Sequence, residues 1–371
     1  LANSQTALQT TAHNVANKST EGYSRQRVDV VTNEPIGEGK LRIGMGAKAS
    51  TISRTCNEYL EKQIEREGNT LGLYNSRSEM LGRVEQVYNE QLNEGLNHSM
   101  GQFFNAFREL SNNPESLATR TEVKESAQYL ARDFNHINTQ LSEIQRDADF
   151  RITTKVEEIN QLTKEISGLN QRIQSVEVTG VSANDERDRR GQLIKQLSEK
   201  VNIRYAEGKG GQLTISAGNT AVLVSGYSQR EIFARATPAR EGKAEGNVDI
   251  FYKSTDEGTP LNITNQLTGG EVGGLLQVRD EVCNSYIKNM DDVAFKLAWE
   301  TNRAHAKGFD RYGKSGNLIF DMPNEVEGSA FKMKVDAGLI QDVGKLAAAG
   351  APGAPGDNRI ANVLSSLQYK H

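Results

Sequence analysis

The chain has 371 residues with 44 Lys and Arg against 48 Asp and Glu, a formal net charge of -4. Its basic residues are interleaved with acidic ones, so it lacks the basic stripe of a nucleic-acid binder. With 36% hydrophobic residues, one Trp and no apolar run near the roughly 20 residues of a membrane span, the composition suits two or three domains with thin or elongated cores.

Leu1 to Asn17 reads as the end of a modest amphipathic helix whose apolar residues are Leu1, Ala7, Leu8, Ala12 and Val15. Gly22 permits a turn, and Ser24 to Asn33 has the β-branched enrichment of a strand, with Val28 and Val30 on one face. Leu41 to Ser53 is a second extended piece. From Cys56 to about Glu90 a helix places Leu60, Ile64, Leu71, Tyr74, Leu81, Val84 and Tyr88 on one face. A shorter helix, Leu96 to Leu110, has Phe103, Phe104 and Phe107 as its body, a core cluster at helical spacing. Asn112, Asn113 and Pro114 stop it, because the residue before Pro is driven out of the helical region.

The chain is organised around the next helix. Val123, Ala127, Leu130, Phe134, Ile137, Leu141, Ile144 and Ala148 alternate by four and three, the spacing of a coiled-coil seam. Two fours to Ile152 and Val156, then two threes to Ile159 and Leu162, make a slip and a compensating slip before Ile166, Leu169, Ile173 and Val176 resume. At 1.5 Å per residue such a helix runs roughly 80 Å. It ends near Val178 to Val181, where Gly180 interrupts. The charged run Asp185 to Arg190 follows and reads as a solvated helix start with local ion pairs, ahead of Leu193, Ile194, Leu197 and Val201.

Between about Asn202 and Leu267 the period changes to two. Short strands at Leu213-Ile215, Val222-Val224, Glu231-Phe233, Val248-Phe251 and Leu261-Ile263 are separated by Gly210-Gly211, Gly218-Asn219, Gly242 and Gly258. Helical period returns from Gly273 to about His305, with Leu275, Val278, Val282, Tyr286, Met290, Val293 and Leu297 on one face. Leu318-Phe320 and Phe331-Val335 read as strands, Ala347 to Gly356 as a loop, and Asp357 as the N-cap of a last helix carrying Ile360, Val363, Leu364 and Leu367. The pattern predicts a mainly α fold with inserted β: an elongated antiparallel helical rod, coiled-coil-like, carrying a small β-rich domain. Residues 1-24 are expected to form a helix remnant and joint, 25-201 with 269-371 the rod, and 202-268 the inserted outer domain.

Motifs for chemistry are weak. Gly308 to Ser315 matches the spacing of a phosphate loop, but a helix precedes it and a strand follows, the reverse of what that loop requires. No zinc-protease pair or nucleophile elbow occurs. Cys56 and Cys283 stand alone, without a metal-spaced partner, and read as inert thiols. No catalytic, cofactor-binding or metal residue is expected.

The stretch His13-Asn14-Val15-Ala16-Asn17-Lys18-Ser19-Thr20-Glu21-Gly22-Tyr23-Ser24-Arg25 resembles the N-terminal signature of bacterial flagellar axial proteins, and its Gly-Tyr-Ser-Arg form is most similar to the hook-associated family of the hook–filament junction. Phe103-Phe107 with Ser111-Pro114 and Arg120, Arg187-Asp188 before Leu193, Gly273-Leu276 before Arg279-Asp280, and Asn302-His305 before Gly308-Asp310 agree with that family in type and order. Glu21 departs, standing where the family usually has Pro.

The resemblance implies a non-enzymatic structural subunit, exported through the flagellar secretion apparatus and extracellular. It implies hook protein, a second junction protein and copies of itself in a ring as partners, and an export chaperone for a C-terminal helix expected beyond this chain; nucleic acid and membrane are not expected. Asn14, Asn17, Gly22, Tyr23 and Arg25 are the expected joint or subunit-contact residues. The alternatives are a flagellin or second junction protein, an intracellular coiled-coil scaffold, and a secreted enzyme on a flagellar frame.

Overall fold

The computed structural model describes residues 2–38, 41–88, 95–208, 210–238, 246–255, 257–321 and 324–369; Glu90 and Gly242, expected at a helix end and in a turn, lie outside the described residues. The chain is mainly helical with small antiparallel sheets, as the periodicity predicts. It divides into two compact units, residues 1–79 with 148–277 and residues 80–147 with 278–371.

The first unit opens with α1 (Ala2–Ala16) and a ribbon in which β1 (Gln26–Thr32) pairs antiparallel with β4 (Ala47–Arg54). Between them β2 (Ile36–Glu38) and β3 (Leu41–Ile43) form a second hairpin. The register shifts between Asp29 and Val30, so Val28 is half-buried while Val30 is exposed. The extra residue of this irregularity, Ser50, lies in β4, and the half-buried run of β1 ends there.

Helix α2 (Glu58–Val87) contributes residues to both units, as does α4 (Leu117–Glu177), whose 61 residues rise roughly 90 Å at 1.5 Å each. The front half of α2 is turned opposite to expectation. Leu60, Ile64, Leu71 and Tyr74 are exposed, while Glu65, Gly68, Asn69, Gly72 and Ser76 face inward. Contact with α5 (Asn184–Lys200) explains the inversion, because a Cβ on Gly72 would stand 2.2 Å from the carbonyl oxygen of Glu199. Asn69 Nδ2 donates to Ser198 O at 2.6 Å, and Tyr205 OH meets both Glu65 oxygens at 2.9 and 3.0 Å.

The seam of α4 is buried along both units from Val123 to Ile173, with one correction. Leu162 is half-buried, and Thr163 and Asn170, both fully buried, take the inward positions. The sequence Val156, Ile159, Thr163, Ile166, Asn170, Ile173 keeps the four-three rhythm, so the second slip is absent.

In the first unit this half of α4 meets strands. They are β5 (Ile203–Glu207), β6 (Leu213–Ala217), β7 (Ala221–Ser225) and β8 (Ser228–Gln229) in one antiparallel sheet, and β9 (Ile232–Ala236), β10 (Val248–Tyr252) and β11 (Leu261–Asn262) in another. Asn160 bonds both the N–H and the carbonyl of Ile232, at 3.0 and 2.7 Å, and Asn170 Nδ2 reaches the carbonyls of Leu213 and Gly226. An Asn side chain carries the donor and acceptor of a peptide group, so it can close a strand edge from a helix. The unit ends with α6 (Gly270–Gln277).

The second unit holds α3 (Leu96–Asn112), the first part of α4 and α7 (Asn284–His305). Phe103 and Phe107 are fully buried, their rings 5.2 Å apart, and Phe320 lies 5.7 Å from Phe103. Residues Val278–Cys283 form a π-helical turn ahead of α7. That turn inserts about one residue into the helical phase, so the buried positions become Cys283, Met290, Ala294, Ala298, Thr301 and His305. Tyr286 and Val293, expected inward, are exposed.

The remaining chain carries α8 (Ser329–Lys332), α9 (Ala337–Gln341) and α10 (Arg359–Ser366). Phe331 sits exposed on α8 and is not in a strand; only a Phe320–Val335 bridge remains of the expected pair. The expected loop at Ala347–Ala349 is buried backbone, bridged to Phe309. Asn358, not Asp357, occupies the cap position of α10, although Asp357 Oδ1 accepts from Arg359 N at 3.0 Å. The Gly308–Ser315 segment closes on its own Asp310, whose Oδ1 accepts from the N–H groups of Tyr312 and Lys314 at 2.9 and 2.8 Å. Two of the N–H groups that a phosphate would need are therefore committed.

Candidate functional site: the joint after the first helix

Asn14, near the end of α1, organises the turn that leads into β1. Its Nδ2 donates to Gln26 O at 2.9 Å, and its Oδ1 accepts from Gln26 N at 2.8 Å and from Tyr23 OH at 2.7 Å. His13 Nδ1 lies 2.9 Å from the same hydroxyl, and the two rings meet edge to face at 5.5 Å. Two side chains, Asn14 and His13, thus converge on the Tyr23 phenol oxygen. Burial, then the carboxylates of Asp185 and Asp188, push the Tyr23 phenol above its ordinary value.

Asn17 acts locally. Its Nδ2 reaches back to His13 O at 3.1 Å, and its Oδ1 accepts from Thr20 Oγ1 at 3.3 Å, closing the end of α1. Gly22 has φ +78°, the left-handed region in which a side chain is strained, and a Cβ there would touch Gln192 at 3.4 Å. The backbone therefore needs Gly at this position. Arg25 stands apart from the cluster: its side chain is exposed and makes no hydrogen bond or ion pair among the described residues, while its carbonyl accepts from Thr55 N at 2.8 Å.

Sequence reasoning missed the other half of the joint. Asp188 is buried, accepting from Ser24 N at 2.7 Å through one oxygen and from Arg54 Nη1 at 2.9 Å through the other. Gln26 Nε2 reaches Asp185 Oδ1 at 2.9 Å, and Asn184 Nδ2 reaches Ile52 O at 2.7 Å. The start of α5 is therefore no solvated charge run. Arg190 is buried as well, bonding Asn170 Oδ1, Gly211 O and Glu207, while Arg187 spans Glu177 and Glu207 at 2.5 and 2.7 Å. Those carboxylates raise the Arg187 guanidinium above its usual value. The missed signal was the alternation of acid and base in residues 185–190, which at helical spacing supplies two faces, one of them turned inward.

A second clasp lies at the other end of α1. Asn3 Nδ2 donates to Ala47 O at 2.5 Å and Asn3 Oδ1 accepts from Ala49 N at 2.9 Å, so an amide pins each end of the helix to one strand of the ribbon. The carboxylates of the cluster are engaged, Asp188 by Ser24 N and Arg54 and Asp185 by the Gln26 side-chain amide. Among the described residues no group of three or more His, Cys, Asp and Glu is placed to hold a metal ion, and no helix is long and apolar enough to cross a membrane. Cys283 is buried, which pushes its thiol up to about 11, and Cys56 is exposed.

A family model described as the flagellar hook-associated protein FlgK helical domain matches residues 81–320. The chain is 27% identical to a flagellar hook-associated protein 1 of Bacillus subtilis, over 97% of this chain and 78% of the relative. It is 26% identical to the protein of that name in Salmonella typhimurium, over 87% of this chain, and it spans only 58% of that relative's length. A solved structure, the flagellar hook junction protein FlgK from Burkholderia pseudomallei, shares the fold with a TM-score of 0.62 at 22% identity, covering 71% of this chain and 46% of that one.

Proposed function

Because this chain belongs to the family of the flagellar hook-associated protein FlgK helical domain, a structural part of the bacterial flagellum, we propose that it serves at the junction between hook and filament. The family match across residues 81–320 carries this reading. In it the protein is a packing subunit and not an enzyme, exported through the flagellar secretion apparatus with the help of a chaperone. Hook protein, a second junction protein and further copies in a ring are its neighbours, and the strands of residues 202–268 form an outward-facing module.

The joint gives the reading a mechanism. Asn14, Asn17, Gly22 and Tyr23 set the angle at which α1 leaves the ribbon, and Arg25, exposed beside them, is a subunit contact. A helix held this way has a defined direction but little buried apolar surface, which leaves it free to pack against neighbours. Antibody labelling of intact flagella, viewed by electron microscopy, tests the role: a single band where hook meets filament supports it, and label along the whole filament or confined to the cytoplasm refutes it. Tyr23→Ala with Arg25→Glu tests the joint; unchanged motility and filament attachment would remove it from the mechanism.

A further inference from the structure

The first two turns of α5 sort their charges by sign. At 3.6 residues per turn Asn184, Asp185 and Asp188 fall within about 100° of one another, and that face holds the ribbon. Asp188 accepts from Ser24 N and Arg54, Asp185 accepts from the Gln26 amide, and Asn184 donates to Ile52 O. Arg187 and Arg190 lie on another face, which the strands hold. Glu207, the last residue of β5, accepts from Arg187 Nη1 at 2.7 Å and from Arg190 Nη2 at 3.1 Å. Gly211 O accepts from Arg190 Nη1 at 2.6 Å, and Asn170 links the same guanidinium to Leu213 O of β6.

Arg54, Asp188, Arg190 and Glu207 line one polar cavity of about 570 Å³ in the first unit. Asp188 and Arg190 are buried, and a buried charge that loses one of its partners is left uncompensated, so such a network holds together or gives way together. Burial lowers the Arg190 guanidinium below its usual value, and Arg187 and Arg54 lower it further, so the charge that Asp188 pairs on the ribbon side is felt on the strand side. The Glu207 side chain pairs with Arg187 and Arg190 and with no residue of the joint. Two attachments therefore act in series: Asn3 and Asn14 set α1 against the ribbon, and α5 sets the ribbon against the strands.

We propose that the start of α5 is a coupling strut, through which Glu207 and the β5–β6 pair set the position of the ribbon and hence the base from which α1 is aimed. Asp188 and Glu207 are its two positioning residues, one at each face. A helix is stiff over two turns, so a displacement of its Arg face carries its Asp face with it, and the coupling is reciprocal. The inference rests on the joint reading in taking α1 as an element whose direction matters.

The test is amide hydrogen exchange in the full chain, read at Ser24, whose N–H donates to Asp188, and at Gly208, whose N–H donates to Gln212 O. Glu207→Gln, at a side chain 38% exposed, should speed exchange at Ser24 roughly 2- to 30-fold. Glu231→Gln, the same change at an exposed site just ahead of β9, should leave Ser24 as it was. Asp188→Asn should speed exchange at Gly208, and in that background Glu207→Gln should add nothing at Ser24. If Asp188→Asn does not fold, Arg54→Gln serves the reciprocal arm, since it leaves the carboxylate bonded to Ser24 N. An unchanged Ser24 in Glu207→Gln, an equal response to Glu231→Gln, additive effects, or an unchanged Gly208 would each overturn the strut. Antibody labelling separates the two levels: a band at the junction with uncoupled exchange defeats this inference alone, and label elsewhere with coupled exchange defeats the junction reading alone.

Discussion

Helices α1 and α3, of 15 and 17 residues, are held in place by different forces. In α3, Phe103, Phe107 and Leu110 are fully buried among aromatic and aliphatic neighbours. In α1, Thr10 is the only buried residue, Leu8 and Val15 are exposed, and Asn3 and Asn14 each make paired bonds to strand backbone. Apolar burial is strong and non-directional, whereas a hydrogen bond that replaces one to water adds little net free energy but fixes an angle. One helix is therefore part of a core, and the other is aimed. An element that must meet other subunits in a set direction needs the second kind of attachment.

The comparison breaks if the two helices prove equally costly to disturb. Phe107→Ala is expected to destabilise the second unit by about 3–5 kcal/mol, since it leaves a cavity among Phe103 and its neighbours. Thermal unfolding followed by circular dichroism would detect it as a large fall in Tm.

Acid should act next. His305 is fully buried; Nδ1 lies 2.8 Å from Asn317 O, and Nε2 accepts from Ala347 N at 2.7 Å, so the ring is neutral with its proton on Nδ1. Burial lowers its pKa to about 4. A depressed folded-state value favours the neutral ring, so the stabilisation is complete above the unfolded value near 6.5 and is lost as pH falls towards 4. The loss is roughly 3 kcal/mol over that window. Denaturant titrations at pH 7 and pH 4 check this, and His305→Gln should flatten the difference. If the pH dependence instead tracks α1, with the second unit unchanged, the assignment to His305 is wrong.

What could be read ahead of the structure followed from local period. The α4 seam was legible because its spacing repeats over many turns, and Phe103, Phe104 and Phe107 were legible as core because they share one face of a short helix. The side of α2 that turns inward was not legible: a stripe identifies a face but not what covers it, and the close approach of Gly72 to Glu199 is a tertiary fact. Nor was the π turn, since one inserted residue is settled by packing around the buried Arg279 and its Asp280 partner at 2.7 Å. At the joint, Asn14, Gly22 and Tyr23 stood out through the flagellar signature. Asp188 stood out only within the family-like Arg187-Asp188 run, and its place in the joint was not legible because its partners Ser24 and Arg54 lie 164 and 134 residues away.

Smaller effects probe the aimed helix itself. Asn14→Ala removes two bonds to Gln26 and the acceptor of Tyr23 OH, and should cost about 1–2 kcal/mol confined to the α1–ribbon contact. Hydrogen exchange of the amides in α1 and at Gln26 should accelerate, with the Tm of the second unit unchanged. A global loss of stability would mean that α1 belongs to the core after all.

Tyr23→Phe is the finest test, because it deletes one oxygen and keeps the ring. Its hydroxyl donates to Asn14 Oδ1 and receives from His13 Nδ1, so the variant leaves an acceptor and a donor at a partly wet site, where water can replace the lost partner. The expected loss is about 0.5–1.5 kcal/mol, visible as faster exchange at residues 13–26 and nowhere else. The ring edge against His13 and the Gly22 turn persist in Tyr23→Phe and are lost or loosened in Tyr23→Ala. Equal effects from the two variants would assign the joint to the hydroxyl alone. A much larger effect of Tyr23→Ala would assign it to the packed ring, with the amide of Asn14 setting the direction.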